Sequence, residues 1–239
     1  MNNILALLIL LESVFSIEAL VKGALNQVFT KSPEERITIH FQPIFKGKKI
    51  TLNEPSEKDI PSLQVMRFYL SNFVFLKNGA VAFEEKNSYH LLDLEDENTL
   101  VLKFDAAQNL DFDHLKFNLG IDSLIHISGA MGGDLDPTKG MFWTWQSGYV
   151  NFKLEGVFEK CPSRNHEFQF HLGGYLTPFQ SVQRVSLSAP KGGNLQLQLD
   201  LTPFFDQIDW AKQYSIMSPS KEAVTLSKIL ANSFSVHAK

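Results

Sequence analysis

A single cysteine, Cys161, stands in a chain of 239 residues, so no intrachain disulfide holds this protein together. Basic residues are few: 22 Lys and Arg face 26 Asp and Glu, giving a net charge of −4 with no Lys/Arg-rich run. That balance excludes the electrostatic footprint of a nucleic-acid-binding protein and of a charged membrane-surface anchor. The apolar N-terminal run "ILALLIL" (4–10) is too short for the ~20 residues that a stable bilayer span needs. The chain also lacks G-x-S-x-G, H-E-x-x-H, a phosphate-binding P-loop and a dinucleotide fingerprint. With no activated nucleophile and no acid/base pair to assemble, the sequence reads as a non-enzyme.

What is present suits a β-protein. Twenty phenylalanines in a chain that is 44% hydrophobic can fill the half-buried surfaces of pleated sheets. Period-2 alternation marks "ITIHFQPIF", "YVNFKLEGVF", "EFQFHLGG" and "NLQLQLD" as strands. "LQVMRFYLSNFVFL" (63–76) is a longer one, and the Asn78-Gly79 pair after it is a hairpin signal leading into "VAFEEKNSYHLLDL" as partner strand. Near the C-terminus the period changes: Ala223, Leu226, Ile229 and Leu230 follow Ser220 at helical spacing, with Ser220 placed as N-cap. The expected fold is all-β, a single antiparallel β-sandwich of immunoglobulin-like or jelly-roll style with short C-terminal helical segments. No linker divides residues 36–239, which read as one domain. Ahead of it, residues 1–19 have the apolar run and small-residue cleavage site of a signal peptide, followed by a linker over 20–35. The expected location is therefore periplasmic or secreted.

Two groups of residues carry the functional reading. Three histidines, His40, His90 and His171, sit within apolar strands, and alternation assigns each to the polar face of its strand. They are either solvent-facing or ligands of a site assembled across strands, where neutral imidazoles suit copper or zinc. The stretch "GMFWTWQSGY" spends two of three tryptophans, Trp143 and Trp145, one residue apart and near Tyr149. A hydrophobic corner is the simpler reading of these, and a sugar-stacking platform the functional one.

The segments "RFYLSNF", "SYHLLDL", "FHLGG" and above all "LGIDSLIHISGAMGGDLDPTKGMFWTWQSGYVNFKLEG" resemble the MbnP-like family of methanobactin-associated copper-binding proteins, in order over roughly residues 36–235. The resemblance implies an exported β-sandwich, copper as metal, and a di-haem peroxidase-like protein as partner. Some members hold copper through two histidines and a tryptophan oxidised to kynurenine. Carried onto this chain, it makes His90 in "SYHL" the first ligand, His40 on the first strand the second, and His171 in "FHLGG" a further one. The neighbours of His40 are Thr38, Phe41, Gln42 and Pro43, none of them tryptophan. Trp143, Trp145 and Tyr149 belong to the family-wide motif and read as scaffold. The competing reading is a metal-free binding module that presents loops to a protein or glycan.

Overall fold

The computed structural model describes residues 36–56, 59–145 and 148–239, so the expected signal peptide (1–19) and linker (20–35) lie outside the described residues. Two sheets carry the fold. The five-stranded sheet runs in the order β14 (Phe234–Ala238), β12 (Asn194–Asp200), β1 (Arg36–Phe45), β2 (Lys48–Lys49), with β6 (Val101–Ala107) also paired to β1. The nine-stranded sheet centres on β3 (Ser62–Lys77) and β9 (Gly148–Val157). Beyond β9 lie β10 (Glu167–Gly173) and β13 (Ser215–Ile216); beyond β3 lie β7 (His114–Leu119) and β11 (Gln183–Ser188). The remaining strands are β4 (Ala80–Glu84) and β5 (Tyr89–Asp93), both on β3, and β8 (Phe142–Trp143) on β9. The described residues also form three α-helices, α1 (Ser123–Ser128), α2 (Thr202–Gln207) and α3 (Lys221–Asn232), and single 3-10 turns at Glu97–Leu100, Gly133–Leu135 and Pro137–Lys139.

The protein is mostly β, but the expectation of a single antiparallel sandwich needs correction. β1 pairs in parallel with β12, and β10 in parallel with β13, so both sheets are mixed. Parallel partners need a long crossover, and between β1 and β12 nearly the whole chain supplies it. Short-range signals survive intact. The Asn78-Gly79 turn takes left-handed backbone at both residues and joins β3 to β4. Ser220 accepts a hydrogen bond from the Ala223 N–H at 3.1 Å and caps α3. The expected partner strand over 81–94 is two strands, β4 and β5, both paired to β3.

β3 is the organising strand because it is shared. Its first half (62–68) pairs with β9 and its second half (70–76) with β7, along one edge, while β5 and β4 occupy the other. The fork between β9 and β7 is closed by Asn151, whose carbonyl oxygen accepts from the Ile121 N–H at 3.0 Å while its amide donates to Ser181 Oγ at 2.8 Å. Gly120 makes that closure possible: at φ +99°, a Cβ there would stand 2.5 Å from Asn151 Cγ.

The main core lies between the sheets. Phe41 of β1 meets Phe68 of β3 edge-on at 5.0 Å, and Phe68 stacks on Phe152 of β9 at 5.3 Å. A second, smaller apolar cluster forms around Tyr69, Leu91, Leu135, Met141, Trp143 and Tyr149. These positions alternate with main-core residues along β3, β5 and β9, so this cluster lies on the outer face of the nine-stranded sheet, beneath the long loop that follows β7.

Candidate functional site

The three candidate histidines are not brought together. His40 alternates with the buried Ile39 and Phe41, so it stands on the outer face of the five-stranded sheet, as alternation predicts. Burial first, then the nearby charges of Lys239 and Lys103, hold its pKa below the ordinary histidine value against an opposing hydrogen bond with Asn194. His171 lies on the outer face of the other sheet, where its Nε2 meets Glu155 Oε1 at 2.6 Å. Only 8% exposed, it is held below its ordinary pKa mainly by burial.

His90 departs from the sequence reading. It shares parity with Leu92 and its ring packs edge-on against Phe73 and Phe104, so it points toward the main core rather than out from a polar face. The reason is the second cluster: Tyr89 and Leu91 look like the core side of β5, yet they pack beneath the loop on the outer face. Glu85 Oε2 holds His90 Nε2 at 2.7 Å, and Nδ1 has no hydrogen bond among the described residues. The two histidines expected to share an ion thus lie on different sheets and different faces, with His171 on a third. Among the described residues no group of three or more His, Cys, Asp or Glu converges so as to hold a metal ion. The set His40, His90 and His171 does not fit one copper ion.

A histidine that sequence reasoning passed over is better placed. Across adjacent strands His40 pairs with Gln196 and Gln196 with His237, one row on the outer face of the five-stranded sheet. The alternation in "FSVHA" could have revealed it, with Phe234 turned inward and Ser235 and His237 outward, but the segment is short and follows a helix.

The acidic turn "DLEDEN" has a structural task. Asp93 and Glu95 both pair with Arg67, the former at 2.8 Å, and Arg67 Nη1 donates to the Lys139 carbonyl at 3.2 Å, tying the turn to the loop over β9. That loop is pinned from several sides. Leu91 N–H donates to Asp134, Tyr89 OH to Asp122, and Tyr69 OH to the Asp134 carbonyl. The Tyr149 hydroxyl accepts from Met131 N–H and is shared between the carbonyls of Gly129 and Leu135, at 3.1 and 3.0 Å. His126, on the buried side of α1, stacks on Tyr175 at 4.8 Å, and its Nδ1 accepts the Tyr149 N–H at 3.0 Å. Its neutral ring therefore carries the proton on Nε2, and burial above all pushes its pKa down to about 4.

The two tryptophans divide. Trp143 is scaffold: it packs flush over Gly173, where a Cβ would stand 2.5 Å from its ring. Trp145, in contact with it at 5.5 Å between ring centres, is 62% exposed. The sequence reading grouped the two because it assumed one extended stretch, but β8 ends at Trp143 and the chain turns. Trp145 has company. Leu124 and Ile127 on α1 are 76% and 69% exposed, with Met131 just beyond, and Leu176 and Phe179 stand on the loop that follows β10. The His126–Tyr175 stack and a hydrogen bond from Ser123 Oγ to the Tyr175 carbonyl join these two loops at one end of the fold. Exposed apolar side chains thus stand on loops that hydrogen bonding and ring stacking hold in place.

The family model MbnP matches residues 34–218. Among solved structures, MbnP from Methylosinus trichosporium superposes with a TM-score of 0.56 at 16% identity, over 85% of this chain and 98% of that one, a likeness of fold. Comparison with curated proteins finds no match.

Proposed function

This chain belongs to the MbnP family, and from that premise we propose that it is a non-enzymatic, extracytoplasmic protein that handles copper together with a protein partner docked on its loop end. The observation that carries this reading is the exposed apolar group Leu124, Ile127, Met131, Leu176 and Phe179 on the two joined loops, with Trp145 on the turn after β8. Four of the six are aliphatic or thioether side chains. They offer no flat π-face for a sugar but do fit the apolar centre of a protein interface. The di-haem peroxidase-like protein implied by the resemblance is the partner to test first.

Copper is the metal that the resemblance implies, and His90 is the residue best prepared for it. Glu85 orients the ring through Nε2, as carboxylates do behind ligating histidines, and leaves Nδ1 without a bond. One histidine is an incomplete donor set, and its ring faces the main core rather than the loop end, so a copper site there would need donors that the described residues do not bring together. The separation of His40, His90 and His171 onto three faces favours the second reading, a docking module without metal.

The test has two arms, run on protein from its native compartment. Capture of the di-haem partner should be lost in Leu124→Asp/Ile127→Asp, and copper in the complex should be lost in His90→Ala. Undiminished capture by the loop variant would sink the docking surface. Copper retained by His90→Ala would remove His90 from the site, and complexes without copper in wild type would establish the metal-free module.

A further inference from the structure

The outer face of the five-stranded sheet lies apart from the loop end, and its strand register holds two histidines in one row. His40 on β1 is opposite Gln196 on β12, which is opposite His237 on β14. Opposed residues of neighbouring strands project from the same face, and Ile39, Leu197 and Val236, each one position along its strand, pack with the main core on the other side. Strand spacing sets the two histidine backbones about 10 Å apart. Two imidazoles turned toward each other over the intervening residue would close that span onto one ion, with metal–nitrogen bonds of about 2.0 Å, and for His40 this exchanges its hydrogen bond with Asn194 for a bond to the metal.

We propose that His40 and His237 form a chelating pair for a borderline divalent cation, Cu²⁺ or Zn²⁺, with the Gln196 amide oxygen as third donor and water completing the shell. Gln196 suits this role. Its Nε2 donates to Gln42 Oε1 at 2.7 Å, which fixes the amide and leaves Gln196 Oε1 without a hydrogen bond among the described residues. His237 is held through one nitrogen only, its Nε2 lying 3.0 Å from Ser235 Oγ. Imidazole suits both ions, and a mixed set of nitrogen and oxygen donors suits Cu²⁺ in particular. The pair is independent of the docking surface, and one of its members lies beyond the matched family region, since β14 follows residue 218.

Lys103 and Lys239 bear on His40 electrostatically. They oppose a dication, so the expected affinity is micromolar, and Lys103→Gln should tighten it about two- to fivefold.

Calorimetric titration of the full chain with Cu²⁺ and with Zn²⁺ near neutral pH tests the site, comparing wild type with His40→Gln, His237→Gln and the double variant. A chelate predicts that either single substitution weakens one ion per chain by on the order of tenfold or more, with the double variant no worse than either single. Singles that bind as wild type, or small losses that simply add, would overturn the pair. Both side chains face away from the core, and thermal melts check folding. Should His40→Gln fail to fold, His237→Gln at the exposed sheet edge decides the matter. The loop variant Leu124→Asp/Ile127→Asp must still bind the ion, so loss of docking and loss of the chelate are read separately.

Discussion

The outer faces of the two sheets differ in how they meet water. On the nine-stranded sheet the face is roofed by the loop after β7 and holds a second apolar cluster, including Tyr149 and Met141, both fully buried. On the five-stranded sheet the face is open, with rows of His, Gln and Ser such as His40–Gln196–His237 and Gln42–Gln198–Ser235. A strand with one dry and one wet side shows strict alternation, whereas a strand dry on both sides loses it. The roofed face also does what the open face does not: it fixes loops in place, and fixed loops are what a partner can recognise.

The contrast is most sharply broken by Tyr149→Ala, which removes a buried ring and the hydroxyl that gathers three backbone groups of the roof. A loss of about 4 kcal/mol is expected in chemical denaturation; a loss under about 1 kcal/mol would mean that the roof is not part of the folding unit. Acid should act on the same face. His126 has a native pKa of about 4 against 6.5 when unfolded, so below pH 6.5 the unfolded state binds the extra proton. Stability should therefore be complete above pH 6.5 and fall as pH drops toward 4, by about 3 kcal/mol in all. His126→Gln should flatten that part of the stability–pH curve, and an unchanged slope would place the titration elsewhere. The smallest effect belongs to the open face, where Gln198→Ala should shift the unfolding free energy by no more than about 0.5 kcal/mol. A larger loss there would show that the open face is also packed in solution.

Legibility in the sequence followed the same division. β1 and β12, each with one wet side, alternate cleanly, and the side on which His40 stands is readable from Ile39 and Phe41. The cap at Ser220 and the turn at Asn78-Gly79 are local chemistry and needed no tertiary knowledge. β5 misled because Tyr89 and Leu91 are as apolar as a core face, and nothing in five residues reveals a roof closing over them from forty residues away. The parallel pairing of β1 with β12 could not be read, since no short-range signal fixes a partner across most of the chain. For the same reason the row joining His40 to His237 became visible only in the register, and Trp145 parted from Trp143 only where the chain turns.

The pairing of β1 with β12 also sets an order of events. The side-chain bond between Gln42 and Gln196 spans 154 residues, so a chain made from its N-terminus at about 5–20 residues per second waits many seconds for the partner of its first described strand. Until then the apolar side of β1 lacks that neighbour, and contacts of such long separation are slow to form. The five-stranded sheet is thus completed only after nearly all of the chain has been synthesised.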